Sequence, residues 1–415
     1  MQRTILFWFI VSRIATDLLR IFAVTCIVFN HVSWPLFVSS AGPEGGILGH
    51  ISAIVNQLGK PSVLFFLFLS GLAFAGKKEV MSPRDFYRNR LLRILPPFLL
   101  VSFIYALESG EAISILDPLL WLFGGTAHYH LYFVAILLYL YLLYPLLREI
   151  PYKPSYLIGL FALGLFLHLI NSLRYQSPLP VFMGFTLAPA GSLATIHPGS
   201  AGEHWTIIWT EYFAWAVPFF MMGLWMPEIV KRHPWLKPAN QRAVTISEPA
   251  VMAGSEAVER NQENSPIKRW SGFAFRITLV FLGFLLVFND FVAGYETGMH
   301  PDPAGRVWRI SVGLYALALI FAMLSIPSKQ PPVWVKKLSR ASFLVYLIHP
   351  LWIEATKFLH PWHQTQIVIP LSWITALGLY ELAVAIPGMG LFLGEGDRSL
   401  GQLFRRDRDL PQTDK

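Results

Sequence analysis

The chain holds a single cysteine, Cys26, among 415 residues. One thiol excludes an internal disulfide framework and any zinc site built from cysteines. Charge is scarce too: Asp, Glu, Lys and Arg supply 14% of the residues, against about 25% in soluble domains. That scarcity, with 54% hydrophobic and 15% aromatic residues, excludes an ordinary soluble domain. It predicts an all-α, polytopic integral membrane protein. Acidic residues are fewer than basic ones, 25 against 33, for a formal charge of +8. The positions of the basic residues assign this excess to a membrane surface, not to nucleic acid. A secretory leader is not evident. The apolar run from Ile5 to Val11 is short, is followed by Arg13 and lacks a small-residue cleavage pattern, so it reads as an interfacial lead-in. Nor is there an internal repeat of the kind seen in inverted-repeat transporters.

Hydrophobic stretches of roughly 17–25 residues mark membrane-spanning helices. Ten are expected, near 18–39, 58–76, 92–107, 129–147, 155–172, 207–226, 272–290, 305–326, 341–359 and 367–393. With the N-terminus inside, 26 of the 33 Lys and Arg residues fall on the inner side, and the outer loops proper hold only Arg174. The positive-inside rule therefore predicts that both termini are cytoplasmic. Residues 1–230 read as a first membrane part of six spans and 271–393 as a second of four. Residues 231–270 are polar and rich in Glu, Asn, Ser and Pro, which suits a mobile cytoplasmic linker. A basic cytoplasmic tail, 394–415, follows, and no further extracytoplasmic hydrolase-like domain is expected. The outer loop 173–206 is long enough to cover an opening.

Ionisable groups inside a bilayer are costly, which makes them the first candidates for function. Arg20 and His31 share one apolar segment and lie eleven residues apart. Eleven helical steps turn roughly 1100° and rise about 16 Å. One face of the helix thus carries a cation near the inner surface and an imidazole toward the outer one. His31 suits a general base, its ordinary pKa of about 6.5 lying near working pH; the competing reading is a packing histidine bonded to a backbone carbonyl. Arg90 and Arg93, three residues apart, are presented together by a helix, and paired guanidinium forks suit phosphate. Their competing reading is a topology signal or contact with anionic lipid. Tyr346 and His349 share a face before Pro350, and could hold an acceptor, orient a base, or bridge two helices as a structural polar pair. His128 and His130, with the aromatics beside them, read first as part of an interfacial aromatic belt and second as a site. Asp290, Glu296, His300 and Asp302 are spaced too irregularly to predict a metal site. Glu381, in the last expected span, needs a partner.

Five segments together resemble the membrane acyltransferase family 3, over Asp17 to about Glu381. Thr16 to His31 (TDLLRIFAVTCIVFNH) looks like the family's first span, with its Arg and His separated by ten residues. Phe65 to Phe74 (FFLFLSGLAF) looks like the second, with the Ser-Gly pair at Ser70 and Gly71. Phe86 to Pro97 (FYRNRLLRILPP) resembles the Arg-x-x-Arg segment. His130 to Leu147 (HLYFVAILLYLYLLYPLL) resembles the His-Leu-Trp-Phe span, with Tyr132 in place of Trp. Ser342 to Pro350 (SFLVYLIHP) resembles the late Tyr-x-x-His-Pro span. The terminal Tyr-x-x-x-Glu-x-Pro feature is only partly echoed by Tyr380, Glu381 and Pro387.

The resemblance implies an O-acyltransferase of the cytoplasmic membrane of a bacterium. Its donor would be cytoplasmic acyl-CoA, acetyl-CoA first, with Arg90, Arg93 and Arg20 on the phosphates. His31 would deprotonate a hydroxyl of an extracytoplasmic polysaccharide or glycolipid, with His349 and Tyr346 beside it, and no metal is implied. The partners are then acyl-CoA, the glycan acceptor and the lipid bilayer. A reading of another class stands beside it: an exporter or flippase of a polysaccharide or lipid-linked sugar.

Overall fold

The computed structural model describes residues 12–35, 46–75, 83–110, 113–174, 214–233, 236, 266–296, 309–324, 326, 330–386 and 389–392. Among them there is no strand. The principal helices are α1 (Arg13–Val32), α2 (Gly46–Gly59), α3 (Ser62–Ala75), α4 (Pro83–Ser109), α5 (Asp117–Gly124), α6 (Tyr132–Leu147) and α7 (Pro154–Arg174). They are followed by α8 (Ala214–Arg232), α9 (Pro266–Glu296), α10 (Ile310–Met323), α11 (Val333–Ala355), α12 (Pro361–Ala385) and the short α13 (Met389–Phe392). Each expected span overlaps one of these helices. Among the described residues, five stretches are long and apolar enough to cross a membrane: Arg13–Val32, Gly49–Ala75, Asp85–Ser109, Ala274–Val292 and Pro361–Ala383.

Several boundaries differ from expectation for local reasons. The second span was expected to begin at 58, but Gly49–Ala75 extends further toward the N-terminus and is interrupted at Lys60 and Pro61. The fourth was expected from 129, but helix α6 starts at Tyr132, because Thr126–Leu131 form a compact turn. The last ends at Ala385, two residues before Pro387, and begins at Pro361, where proline costs no hydrogen bond. Most of the polar 231–270 segment lies outside the described residues, as do 1–11, 175–213 and 393–415.

Helix α1 is the hub. Ser12 caps it by accepting from Ala15 N–H at 3.4 Å. Its inward face carries Ala23, Val24, Ile27 and Val28, all buried, while Leu18 and Phe22, one turn apart, face outward. Around α1 pack α2, α3, α11 and α12. The N-terminal and C-terminal parts of the chain are therefore interleaved: α1 meets α11, α2 meets α9, and α3 meets α10.

The tightest crossing, between α3 and α8, explains the Ser-Gly pair. A Cβ on Gly71 would stand 2.9 Å from the Phe220 carbonyl carbon, and one on Gly223 would stand 3.0 Å from that of Phe68. The two glycines thus let the backbones touch reciprocally, the way small residues bring helices together in membranes. Ser70 beside Gly71 is locally satisfied, donating to Phe66 O at 2.7 Å. Phe65, Phe68, Phe74, Phe219 and Phe220 fill the space around this crossing and are almost wholly buried.

Candidate active site

Helix α11 runs through Pro350 without ending. Proline has no N–H, so the carbonyl four residues earlier, that of Tyr346, loses its helical donor. The ring of His349 takes it instead: Nδ1 lies 2.8 Å from Tyr346 O. A carbonyl can only accept, so His349 carries its proton on Nδ1 and presents a lone pair at Nε2. That lone pair faces His31, whose Nδ1 is 2.8 Å away. His31 must donate there, which leaves the lone pair of its own ring on Nε2. The His-Pro pair of α11 thereby sets the tautomer of a histidine on α1, some three hundred residues away in sequence.

The His31 and His349 rings are stacked, with centroids 5.1 Å apart. The turn that enters α6 closes the pocket on another side. Gly125 adopts a left-handed φ of 64° that ends α5, and the chain then lays three rings against the site. Tyr129 stands edge-on to His31 at 5.0 Å. His130 lies 5.1 Å from His349 and 6.4 Å from His31, centroid to centroid. His128 stacks on Tyr105 at 4.3 Å and shares a 2.8 Å Nδ1-to-Nδ1 hydrogen bond with His130. The interfacial-belt reading of these histidines needs correction. His130 is 1% exposed, and its Nε2 has no hydrogen-bond partner among the described residues. Only Tyr129 of the three is well exposed.

Tyr346 is also present, but its hydroxyl is engaged: it donates to the backbone carbonyl of His130. Tyr105 donates to Leu347 O at 2.8 Å. Both phenols thus tie the loop or α4 to α11 and hold the histidines in register. Mutual satisfaction of buried polar groups of this kind fixes one arrangement of a site.

At the other end of α1, Arg20 forms an ion pair with Asp17 at 3.3 Å. Asp17 also accepts from Ser339 Oγ on α11 at 2.6 Å. Arg90 and Arg93 of α4 both lie close enough for their charges to act on Arg20. The Arg90 guanidinium rests over the Phe74 ring at 4.7 Å, and Arg93 is exposed. Three guanidiniums of like charge are thus gathered at one end of the bundle while four imidazoles meet at the other. Glu381 has the partner that its place in the last expected span calls for. It is exposed and accepts from Lys337 at 2.6 Å, while the neighbouring Tyr380 hydroxyl accepts from Arg340 at 3.1 Å. Of the acidic and histidine residues weighed for a metal, His300 and Asp302 lie outside the described residues, as does the side chain of Glu296; Asp290 is buried.

Sequence spacing singles out His31, Arg20 and the arginine pair as candidates, and the structure places them in these two clusters. His130 is singled out too but reads there as part of an interfacial belt; the signal for its burial is the glycine pair Gly124-Gly125 five residues upstream. Such a pair can turn a polar loop back into a bundle rather than out to its rim. No curated protein and no solved structure matches the chain. A family model described as an acyltransferase domain matches residues 13–389. That range runs from the start of α1 into α13 and contains every residue of the arginine and histidine clusters: this integral membrane chain belongs to acyltransferase family 3.

Proposed function

We propose that the protein transfers an acyl group, acetyl first among candidates, from cytoplasmic acyl-CoA to a hydroxyl of an extracytoplasmic polysaccharide or glycolipid. It does so as a ten-span protein of a bacterial cytoplasmic membrane with both termini inside. The arginine end then faces the cytoplasm. Arg90, Arg93 and Arg20 supply planar donors for the phosphates of the donor. The pantetheine arm threads along α1 toward His31, a distance of about 16 Å along the helix.

His31 Nε2 takes the proton of the acceptor hydroxyl as its oxygen attacks the thioester carbonyl. The C–S bond breaks, the new ester forms, and coenzyme A leaves as the thiolate, which takes the proton from His31 Nε2 to become the thiol and returns the imidazole to its neutral form. His349 holds the His31 ring and strengthens its hydrogen bond as the imidazolium develops. A site closed to bulk water protects the thioester from hydrolysis and strengthens these charge interactions.

One observation carries the reading. A single helix bears, at one end, a guanidinium grouped with Arg90 and Arg93 and, at the other, an imidazole whose base nitrogen is set by a neighbour. The test is acetyl-CoA binding to the purified protein in nanodiscs. Saturable binding that weakens at least about tenfold in the Arg90→Ala/Arg93→Ala variant is expected, since hydrogen bonds to charged groups contribute about 1.5–3 kcal/mol each. A folded wild type that binds no acetyl-CoA would turn the assignment toward the exporter.

A further inference from the structure

Helix α2 is amphipathic in the inverse sense of a soluble helix. Ile47, Ile51 and Ile54 face outward and are exposed, whereas Ser52, Asn56 and Gln57 point inward and are fully buried. Its polar face begins a strip that crosses to α9 and α10. Gln57 donates to Asn56 Oδ1 at 3.3 Å and accepts from the guanidinium of Arg309, which is 1% exposed. Arg309 also donates to Val287 O at 3.1 Å. One turn beyond Val287 lies Asp290, 6% exposed, with neither carboxylate oxygen hydrogen-bonded among the described residues.

The strip runs back to the catalytic end of α1. Asn30, adjacent to His31, lies against Gly59, where an added Cβ would stand 3.2 Å from its Oδ1. Lys60, buried at the junction of α2 and α3, is near enough for its charge to act on His31. Along this path Asn30 Oδ1, Ser52 Oγ, Asn56 Nδ2 and both Asp290 oxygens are buried with no partner among the described residues. Buried polar atoms left unpaired are costly and rare, and a row of them marks a place for something that hydrogen-bonds. The set offers both acceptors and donors. A carboxylate and two amides are the donor and acceptor types that hydrogen-bond the adjacent hydroxyls of a sugar ring.

We propose that this strip, from Asn30 through Asn56 and Gln57 to Asp290, is the acceptor subsite. It holds the non-reacting hydroxyls of a sugar residue while another of its hydroxyls reaches His31. The inference rests on the transferase reading above and gives it a location for the acceptor that the arginines and histidines do not provide. It also assigns Arg309 a role: engaged by Gln57 and Val287, it fixes the amide of Gln57 and offsets the charge of Asp290.

The test uses wild-type and variant protein in proteoliposomes at saturating labelled acetyl-CoA. The surface-polysaccharide fraction extracted from the chain's own host is titrated as acceptor. Asn56→Ala and Asp290→Asn are expected to raise the acceptor KM about tenfold per lost hydrogen bond, with the acetyl-CoA Kd unchanged within about twofold. Ser52→Ala, which removes only one hydroxyl, guards against misfolding of the other two and should raise the same KM by a smaller factor. An unchanged acceptor KM in folded variants would mean that the strip holds water only. Parallel loss of acetyl-CoA binding would mean a structural role. Either outcome overturns the subsite. A folded wild type that transfers no acetyl at all would overturn the transferase reading and the subsite together.

Discussion

Replacing His349 with alanine isolates the contribution of a residue that touches no substrate in the scheme above. Its Nε2 accepts from His31 Nδ1 at 2.8 Å, and its Nδ1 serves the Tyr346 carbonyl at the same distance. When His31 takes the acceptor proton it becomes an imidazolium, and its bond to His349 becomes charge-assisted. Hydrogen bonds to charged groups are worth about 1.5–3 kcal/mol; at about 1.4 kcal/mol per tenfold, their loss lowers kcat about 10- to 150-fold. The alanine variant also leaves the Tyr346 carbonyl without its partner, at a stability cost of about 1–3 kcal/mol. Glutamine should restore part of the rate, because its carbonyl oxygen can accept from His31. The assay is initial-rate transfer of labelled acetyl in proteoliposomes, with acetyl-CoA binding measured on the same preparations. A fall in kcat with unchanged donor Kd and partial rescue by glutamine is expected. A folded His349→Ala variant with the wild-type rate would refute the assignment of the His31 tautomer and of His349 as its positioning residue.

Three further outcomes follow from the packing and the charges. Gly223→Ala forces the backbones of α3 and α8 apart, and overpacking of this kind costs about 1–3 kcal/mol or more; a lowered melting temperature in detergent checks it. Gly71→Ala should do the same, and the double variant should fall short of additivity, because both glycines sit at one crossing. Tyr105→Phe removes the bond to Leu347 O and should cost about 1 kcal/mol of stability, read by thermal unfolding, with a smaller effect on kcat than His349→Ala. Lys337→Ala breaks an exposed pair with Glu381, so its melting temperature should stay within about 2 °C of the wild type.

How much of this was legible beforehand depends on whether a feature is local. The Arg20–His31 face follows from helical periodicity alone, and so does the joint presentation of Arg90 and Arg93 on α4. The His349–Pro350 pair was equally local. A proline frees the carbonyl four residues back, and a histidine one residue earlier can reach it, so the tautomer was written in the chain though its partner was not. Non-local packing hid the rest. The burial of His130 depends on the Gly125 turn and on α11 covering it, which no window around His130 reveals. The partner of Glu381 is Lys337, 44 residues distant on another helix. Helix α2 was missed as an element because Asn56, Gln57, Lys60 and Pro61 interrupt the apolar run, so the expected span starts at 58, although the hydrophobic stretch reaches back to Gly49.

The most direct measurement is acyl transfer across the bilayer in inside-out membrane vesicles that contain the native acceptor. Labelled acetyl-CoA is supplied to the exposed cytoplasmic face, and base-labile label is counted in the enclosed glycan. The account predicts incorporation by the wild type and a loss of at least about a hundredfold in His31→Ala, the scale of general-base catalysis, with acetyl-CoA still bound. Equal incorporation by that variant, or label confined to the cytoplasmic face, would contradict it.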